Sequence, residues 1–221
     1  MPSSAEVDPS GARRVSHAQA SKILAARTPA LANLVAACGP MKLESSQLSH
    51  FGALVRSIVH QQLAGSAASA IHARLHTALK GDITPEAVAA TGRDVLRSAG
   101  LSNAKVTSIY DLAEKVLDGS VNLEPRLVGR MADEAVVSEL CKVRGVGVWT
   151  AQMFLLFQLR RFDVWPVGDL GVRRGYGLAF GVDPPSPAEL EGLGEQFRPY
   201  RSVAAWYCWR ATEVLPARRK P

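Results

Sequence analysis

The chain has 221 residues, of which 26 are Lys or Arg and 20 are Asp or Glu, so its formal net charge is +6. Hydrophobic residues make up 47% and charged residues 21% of the sequence, which excludes an intrinsically disordered chain. No stretch approaches the roughly 18 consecutive apolar residues of a membrane span, and the first residues lack the apolar segment of a signal peptide, so we expect a cytoplasmic protein without a membrane partner. The cysteines are far apart and form no CxxC pair, which excludes a disulfide scaffold or a four-cysteine site and predicts buried, reduced thiols at Cys38, Cys141 and Cys208.

The apolar spacing predicts helices along most of the chain. Residues 1–17 mix Pro, Ser, Gly and charge without periodicity, so we expect a disordered arm there, and residues 216–221 form a basic tail. Apolar residues from Phe51 to Val59 follow the spacing of one buried helix face, and those from Val106 to Leu117 repeat it. No convincing strand pattern occurs, so residues 18–215 are predicted to form an all-α fold.

Capping residues mark several of the expected helix ends. Thr84 is a predicted N-cap, Pro85 takes the first helical position, and Gly100 is expected to end the helix that begins there. Ser102 is then placed to cap the next helix. These signals predict helices of roughly ten to twenty residues, as in most globular chains.

A tight turn between two helices is the first candidate functional feature. Gly145 and Gly147 flank Val146, and glycines here permit positive φ and let a phosphate approach the backbone closely. The next helix, predicted from Val148 to Leu159, would point unpaired N–H groups outward as a sequence-independent anion site. The competing interpretation is an ordinary helix–helix corner, which the G-x-G pattern alone favours.

The second candidate feature is an acidic residue at the start of a helix. Asp169 follows a Pro-Val-Gly break and is followed within five residues by Arg173 and Arg174. An acid in this position is most often a helix cap. Much of the basic charge lies in the same C-terminal third of the chain, where it predicts a face that contacts phosphates.

Together, these features resemble the helix-hairpin-helix DNA glycosylase superfamily, and in more detail its DNA-3-methyladenine glycosylase II branch. Four segments carry the resemblance in the expected order: Phe51 to Leu75, Gly100 to Ala113, Asp163 to Gly175 and Arg198 to Trp209. The resemblance implies a two-lobed helical bundle with a helix-hairpin-helix motif and a DNA-facing cleft between the lobes. It also implies that the protein acts as a monomer on double-stranded DNA containing alkylated bases and requires no cofactor. In a bacterium, the protein would be associated with the nucleoid.

The resemblance further implies roles for individual residues around an extruded base. Asp169 would be the catalytic carboxylate, which stabilises the positive charge that develops on the sugar or activates the attacking water. The base pocket would be lined by Trp149, Trp209 and Met153. The side chain that fills the gap left in the duplex would be Gln62, with Leu63 and Gln61 as neighbours within one residue of alignment error.

The hairpin would contact the DNA backbone, and nearby basic residues would make further contacts with phosphates. The residues implied for these contacts are Gly145, Gly147, Arg144, Thr150, Arg173 and Arg174. The hairpin of this superfamily commonly holds a monovalent cation through main-chain carbonyls, which here would belong to Cys141, Val143 and Val146. Arg144 stands where many relatives have proline.

The sequence therefore predicts a DNA repair glycosylase that flips alkylated purines, chiefly 3-methyladenine, out of the duplex and hydrolyses the N-glycosidic bond. A rival interpretation is a helix-hairpin-helix DNA-binding module without catalysis, in which Asp169 only caps its helix. A third is an enzyme that also cuts the sugar–phosphate chain through a lysine nucleophile. In the superfamily that the sequence resembles, that lysine occupies the second residue after the last hairpin glycine. This position is Trp149 here, so the resemblance implies a monofunctional enzyme. The preferred lesion depends on pocket shape, which the sequence does not give.

Overall fold

The computed structural model describes residues 15–44, 46–63 and 65–216, and in these residues all regular structure is helical. The first five helices are α1 (His17–Arg27), α2 (Pro29–Cys38), α3 (His50–His60), α4 (Gly65–Ala78) and α5 (Pro85–Ala90). The next five are α6 (Arg93–Ser98), α7 (Asn103–Leu117), α8 (Pro125–Arg130), α9 (Asp133–Leu140) and α10 (Val148–Met153). A π-helical turn (Phe154–Gln158) follows α10, and the last elements are α11 (Leu170–Phe180), α12 (Pro187–Leu193), a 3-10 turn (Glu195–Phe197) and α13 (Arg201–Val214). The all-α prediction is confirmed.

The predicted terminal segments lie almost entirely outside the described residues. Within the segment predicted as an arm, Ser16 caps α1, and Ser16 and Gln19 exchange side-chain and backbone hydrogen bonds as a capping box. Ser16 and His17 therefore belong to the capped start of a helix. Within the described ranges, no helix combines the length and the apolar character that a membrane crossing requires.

The described residues form two compact units. Unit 1 contains residues 15–44 and 161–216, and unit 2 contains residues 46–160. Unit 1 is therefore built from two segments that are far apart in sequence, whereas unit 2 is a continuous stretch of chain.

The core of unit 1 is organised around α13, whose residues Val203 to Cys208 are largely buried. The Tyr207 hydroxyl donates to the carbonyl of Gly39 over 2.8 Å, which joins α13 to the end of α2. Gly175 on α11 leaves no room for a side chain, because a Cβ there would overlap the Cys208 carbonyl oxygen. Helices α11 and α13 are thus in backbone contact, and this contact depends on glycine.

The cysteine prediction is correct for one residue and wrong for another. Burial raises the pKa of the Cys208 thiol, and the nearby Asp169 carboxylate raises it further, so this thiol stays protonated and serves packing. Cys38 is half-buried. Cys141 is exposed, because it follows the last residue of α9 at the start of a surface turn.

Unit 2 confirms the predicted faces of α3 and, in part, of α7. The apolar residues of α3 from Phe51 to Val59 that follow the helical spacing are all buried. In α7, Val106, Ile109 and Ala113 are buried, but Leu117 is exposed at the last helical position. The prediction that Leu117 belongs to the buried face is therefore wrong, because the helix ends there and leaves no further turn to cover it.

The single helix predicted between Pro85 and Gly100 is also wrong, because the structure has two short helices there. The Thr84 cap is confirmed, since its hydroxyl accepts from the Ala87 N–H over 3.1 Å. The break falls at Thr91 and Gly92, whose ψ angles of 136° and 147° are extended. The predicted Ser102 cap of α7 is confirmed by a 3.3 Å bond from the Lys105 N–H.

Candidate functional site

The turn between α9 and α10 is built on one glycine that the fold requires. Gly145 has φ +77°, in the left-handed region, and a Cβ there would overlap the Ser108 hydroxyl of α7. Gly147 differs, because its φ of −102° is open to any residue and a Cβ would meet no atom within 4 Å. The expectation of positive φ is confirmed for Gly145 and wrong for Gly147. Neither the backbone nor the packing of the protein explains the glycine at 147.

The hairpin backbone is anchored to unit 2 through its main chain. The Arg144 N–H donates to Asp111 Oδ2 of α7 over 2.7 Å, while the Arg144 side chain is exposed. The Val146 N–H donates to the carbonyl of Val143 over 3.1 Å, which closes the turn. Val143 is one of the three residues whose carbonyls are expected to hold a cation, and this bond engages its carbonyl oxygen within the turn.

The helix that follows the hairpin begins as predicted and changes its geometry halfway. Val148 is exposed at the first position of α10, so the helix N-terminus faces solvent. The predicted helix to Leu159 is α-helical only to Met153, after which the π-helical turn buries Phe154, Leu155 and Leu156. Trp149 is 44% exposed and Met153 is half-buried, so neither of these predicted pocket residues is a core residue.

Gln61 and Thr150 have a structural relation that sequence reasoning did not find. Thr150 is buried at 3% exposure, and its Oγ1 accepts from Gln61 Nε2 over 3.2 Å. The same Gln61 amide donates to the Gly145 carbonyl over 2.9 Å. The first residue of the predicted wedge segment is therefore tied to the hairpin by its side chain.

The two following residues project from the surface. Gln62 is exposed and has φ +56°, a left-handed conformation that is uncommon for a residue with a side chain. Leu63 is 40% exposed, which is high for a leucine. These two residues are accessible to a ligand, whereas Gln61 is engaged in the structure.

In unit 1, Asp169 is the N-cap of α11, and its carboxylate accepts two hydrogen bonds. Its Oδ1 accepts from the Val172 N–H over 2.8 Å and from the Trp209 indole Nε1–H of α13 over 2.9 Å. Gly171 allows the indole to approach, because a Cβ there would lie 2.8 Å from Trp209 Cδ1 and 3.0 Å from Asp169 Oδ1. The carboxylate is thus fixed by two helices at once.

The remaining tryptophans are structural or half-buried. Trp165 is buried at 4% exposure, and its Nε1–H donates to the Leu190 carbonyl over 2.8 Å. Trp206 is half-buried, with the Arg210 guanidinium 5.7 Å from its ring centroid. These positions agree with the interpretation of both residues as core or rim.

Part of the basic charge in the C-terminal third is already neutralised within unit 1. Arg198 and Arg201 both pair with Asp163, at 2.6 Å and 2.8 Å. Arg173 donates from Nε to the Pro185 carbonyl over 2.6 Å, while Arg174 is exposed. The charge available to a polyanion in this region is therefore smaller than the sequence suggests.

These features match a known protein family. The model of the HhH-GPD superfamily of base excision DNA repair proteins matches residues 55–199. The chain belongs to this superfamily, which confirms the predicted membership of the helix-hairpin-helix DNA glycosylases.

Relatives and solved structures support the same assignment. The DNA-3-methyladenine glycosylase 1 of Schizosaccharomyces pombe is 32% identical over 165 residues, which cover 73% of this chain and 72% of the relative. The structure of the 3-methyladenine DNA glycosylase of Schizosaccharomyces pombe in complex with abasic DNA superposes with a TM-score of 0.80 at 28% identity, covering 89% of this chain and 97% of that one. A DNA-3-methyladenine glycosidase from Bacillus halodurans gives a TM-score of 0.77 at 32% identity, with 88% and 89% covered.

Proposed function

We propose that the protein is a monofunctional DNA-3-methyladenine glycosylase of type II. It would flip alkylated purines out of duplex DNA and hydrolyse the N-glycosidic bond, leaving an abasic site. The observation that carries this proposal is the Asp169 carboxylate, which receives both the Val172 N–H and the Trp209 indole N–H. It is supported by the 32% identity to the Schizosaccharomyces pombe enzyme.

The two donors explain how Asp169 would serve the reaction. Loss of the base leaves an electron-poor sugar carbon that resembles an oxocarbenium ion, and a nearby carboxylate stabilises the charge that develops there. Because Asp169 is held before substrate arrives, it would need no reorganisation as this charge develops. A methylated adenine is itself cationic, so its departure demands little acid catalysis, and an exposed indole such as that of Trp149 offers the π-face that binds such cations.

The non-catalytic alternative is disfavoured by the second donor to Asp169. Other helices of this chain are capped by a side chain that accepts from a backbone N–H of the same helix, as by Ser102, Glu124 and Ser186. A cap alone therefore does not require an indole N–H from another helix. This second donor is expected of a carboxylate whose position matters for chemistry.

A panel of duplexes, each with one lesion, tests the proposed function. The purified protein should release 3-methyladenine rapidly and release undamaged adenine only at background rate, as measured by chromatography of the free base. The same panel, with methylguanines, ethenoadenine and deaminated bases, ranks the lesions. Absence of base release from every alkylated duplex would leave only the DNA-binding alternative.

The product of the reaction is predicted to be an intact abasic strand. Trp149 stands where a Schiff-base lysine would be, and Lys142 is paired with Glu139 at 2.6 Å. Water is then the nucleophile, and the strand should break only after alkali or an abasic endonuclease is added. A protein–DNA adduct trapped by borohydride during turnover would contradict the monofunctional assignment.

Two glycine substitutions separate the DNA-contacting role of the hairpin from its folding. Gly147→Ala should leave the thermal unfolding temperature unchanged but weaken binding to lesion-containing duplex by about 3-fold to 10-fold, since a methyl group would obstruct a phosphate. Gly145→Ala should instead lower the free energy of unfolding by about 1–3 kcal/mol, because its Cβ overlaps Ser108. Fluorescence anisotropy and thermal unfolding measure the two effects, and wild-type affinity in Gly147→Ala would exclude a phosphate contact at this residue.

We propose further that the protein acts as a monomer on double-stranded DNA and that the hydrolysis needs no cofactor. The carbonyl oxygens of Cys141, Val143 and Val146 are the hard donors that a monovalent cation prefers, and the cation would bring positive charge to the hairpin. Comparing DNA affinity in potassium and in a large organic cation at equal ionic strength tests this site.

A further inference from the structure

Helix α7 carries a row of side chains that contact both the predicted wedge segment and the hairpin. Lys105 contacts the segment at residues 61–63, Ser108 lies against Gly145, and Asp111 accepts from the Arg144 N–H. The three residues are spaced by three, so they lie along neighbouring turns of one helix. All of these elements belong to unit 2.

Lys105 makes the contact to the wedge segment through two main-chain carbonyls. Its Nζ donates to the Val59 oxygen over 2.7 Å and to the Gln61 oxygen over 2.9 Å. These oxygens lie at the C-terminal end of α3, where carbonyls lack intrahelical partners and attract a cation. The contact thus fixes the residue at which α3 ends and the exposed segment begins.

Gln61 is also bound by the hairpin, through its side chain. Its side-chain amide donates to the Gly145 carbonyl and to Thr150 Oγ1, over 2.9 Å and 3.2 Å. Its backbone is therefore held by α7 while its side chain is held by the hairpin and α10. Lys105 is half-buried, and this partial burial lowers the pKa of its ammonium group.

The residues directly after this fixed point are the exposed ones. Gln62 adopts φ +56°, and Leu63 is 40% exposed. A left-handed residue persists only where its surroundings determine its conformation. The link between Lys105 and Gln61 supplies such surroundings one residue away.

We propose that Lys105 is a positioning residue for base flipping, which holds the wedge segment at a fixed distance from the hairpin that contacts the DNA backbone. The inference rests on the proposed function. A side chain that fills the gap in a duplex competes with restacking of the base, so any disorder of the segment would have to be removed during insertion. Lys105 removes this disorder in the folded protein, before DNA is bound.

The inference predicts a defect that depends on whether the lesion is stacked. Lys105→Met should reduce excision from a fully paired duplex by about 10-fold to 100-fold, the scale of losing a charge-assisted hydrogen bond. Excision of the same lesion from an unpaired bubble, where no stacked base must be displaced, should stay within about 3-fold of wild type. Lys80→Met removes the same charge from an exposed position of unit 2 and should match wild type on both substrates.

A variant cycle shows whether Lys105 acts through the wedge residues. When Gln62 and Leu63 are both replaced by alanine, adding Lys105→Met should cause little further loss on paired duplex, because the segment it positions is no longer functional. Additive losses would overturn the inference. Equal losses on paired and unpaired substrates would also overturn it, since they would show a general structural role.

If the Lys105→Met variant does not fold, the Lys105→Gln variant, which keeps a hydrogen-bond donor, is used to compare excision from paired and unpaired substrates. Base-flipping fluorescence of 2-aminopurine beside the lesion supplies an independent readout and should fall in parallel with excision from paired duplex. Failure of the proposed function is distinguishable, because the wild-type protein would then release no base from either substrate.

Discussion

Asp169→Asn is expected to lower the rate of base excision by at least about 100-fold, the loss typical of one preorganised electrostatic group. The asparagine oxygen can still accept from the Val172 N–H and from the Trp209 indole, so the helix cap and the side-chain position should persist. Only the negative charge is removed. Single-turnover release of 3-methyladenine measures the effect, and DNA affinity and thermal unfolding should stay near wild type.

A charge-matched control separates this effect from a change in net charge. Asp183→Asn removes an exposed carboxylate of the same unit, and its excision rate should equal that of wild type. If Asp169→Asn excises bases at a near-normal rate, the carboxylate is only a helix cap, and the catalytic mechanism proposed here is wrong.

Gly175→Ala is expected to have the largest effect on folding. A Cβ at this position overlaps the Cys208 carbonyl oxygen, which belongs to the backbone of α13 and has no flexible side chain to move aside. The two helices must separate, and the free energy of unfolding should fall by at least about 3 kcal/mol. For a chain of this length, that loss corresponds to a decrease of about 6–12 °C in Tm.

Gly192→Ala is the matched control for this substitution. Gly192 is also helical and in unit 1, but a Cβ there would meet no atom within 4 Å. Its replacement should leave stability unchanged or raise it by up to about 1 kcal/mol, because alanine favours the helix. Thermal unfolding of both variants measures the contrast, and equal Tm values would show that α11 and α13 are not in backbone contact.

The sequence is a good guide where local signals and helix periodicity determine the structure. The buried face of α3, the caps at Thr84 and Ser102 and the hairpin at Gly145 all follow from residues within one or two turns of each other. The sequence indicates both a catalytic role and a cap role for Asp169, and the structure confirms the cap. A cap and a catalytic carboxylate are compatible, because each role uses the same fixed oxygen position.

Contacts between distant residues leave no such local signal. The bond from Lys105 to Gln61 joins residues 44 positions apart, and the bond from Gln61 to Gly145 joins residues 84 positions apart. Both acceptors are main-chain carbonyls, which every residue has, so the residue types give no sign of these bonds. The pairing of Arg198 and Arg201 with Asp163 likewise leaves no local signal, so the sequence overestimates the positive charge that this region offers to phosphates. The helix ends predicted at Thr84 and Gly100 indicate one helix, whereas the structure has a break between them at Gly92.

The division of unit 1 between two distant segments affects the order in which the protein can assemble during synthesis. Residues 15–44 are synthesised well before α13, against which they pack, and the bond from Tyr207 to Gly39 joins residues 168 positions apart. Unit 2 is continuous, so all of its own helices are synthesised before residues 161–216. The hairpin and residues 61–63 can therefore reach their arrangement within unit 2 before α13 joins the helix that bears Asp169, and unit 1, which bears the higher loop-closure cost, forms later.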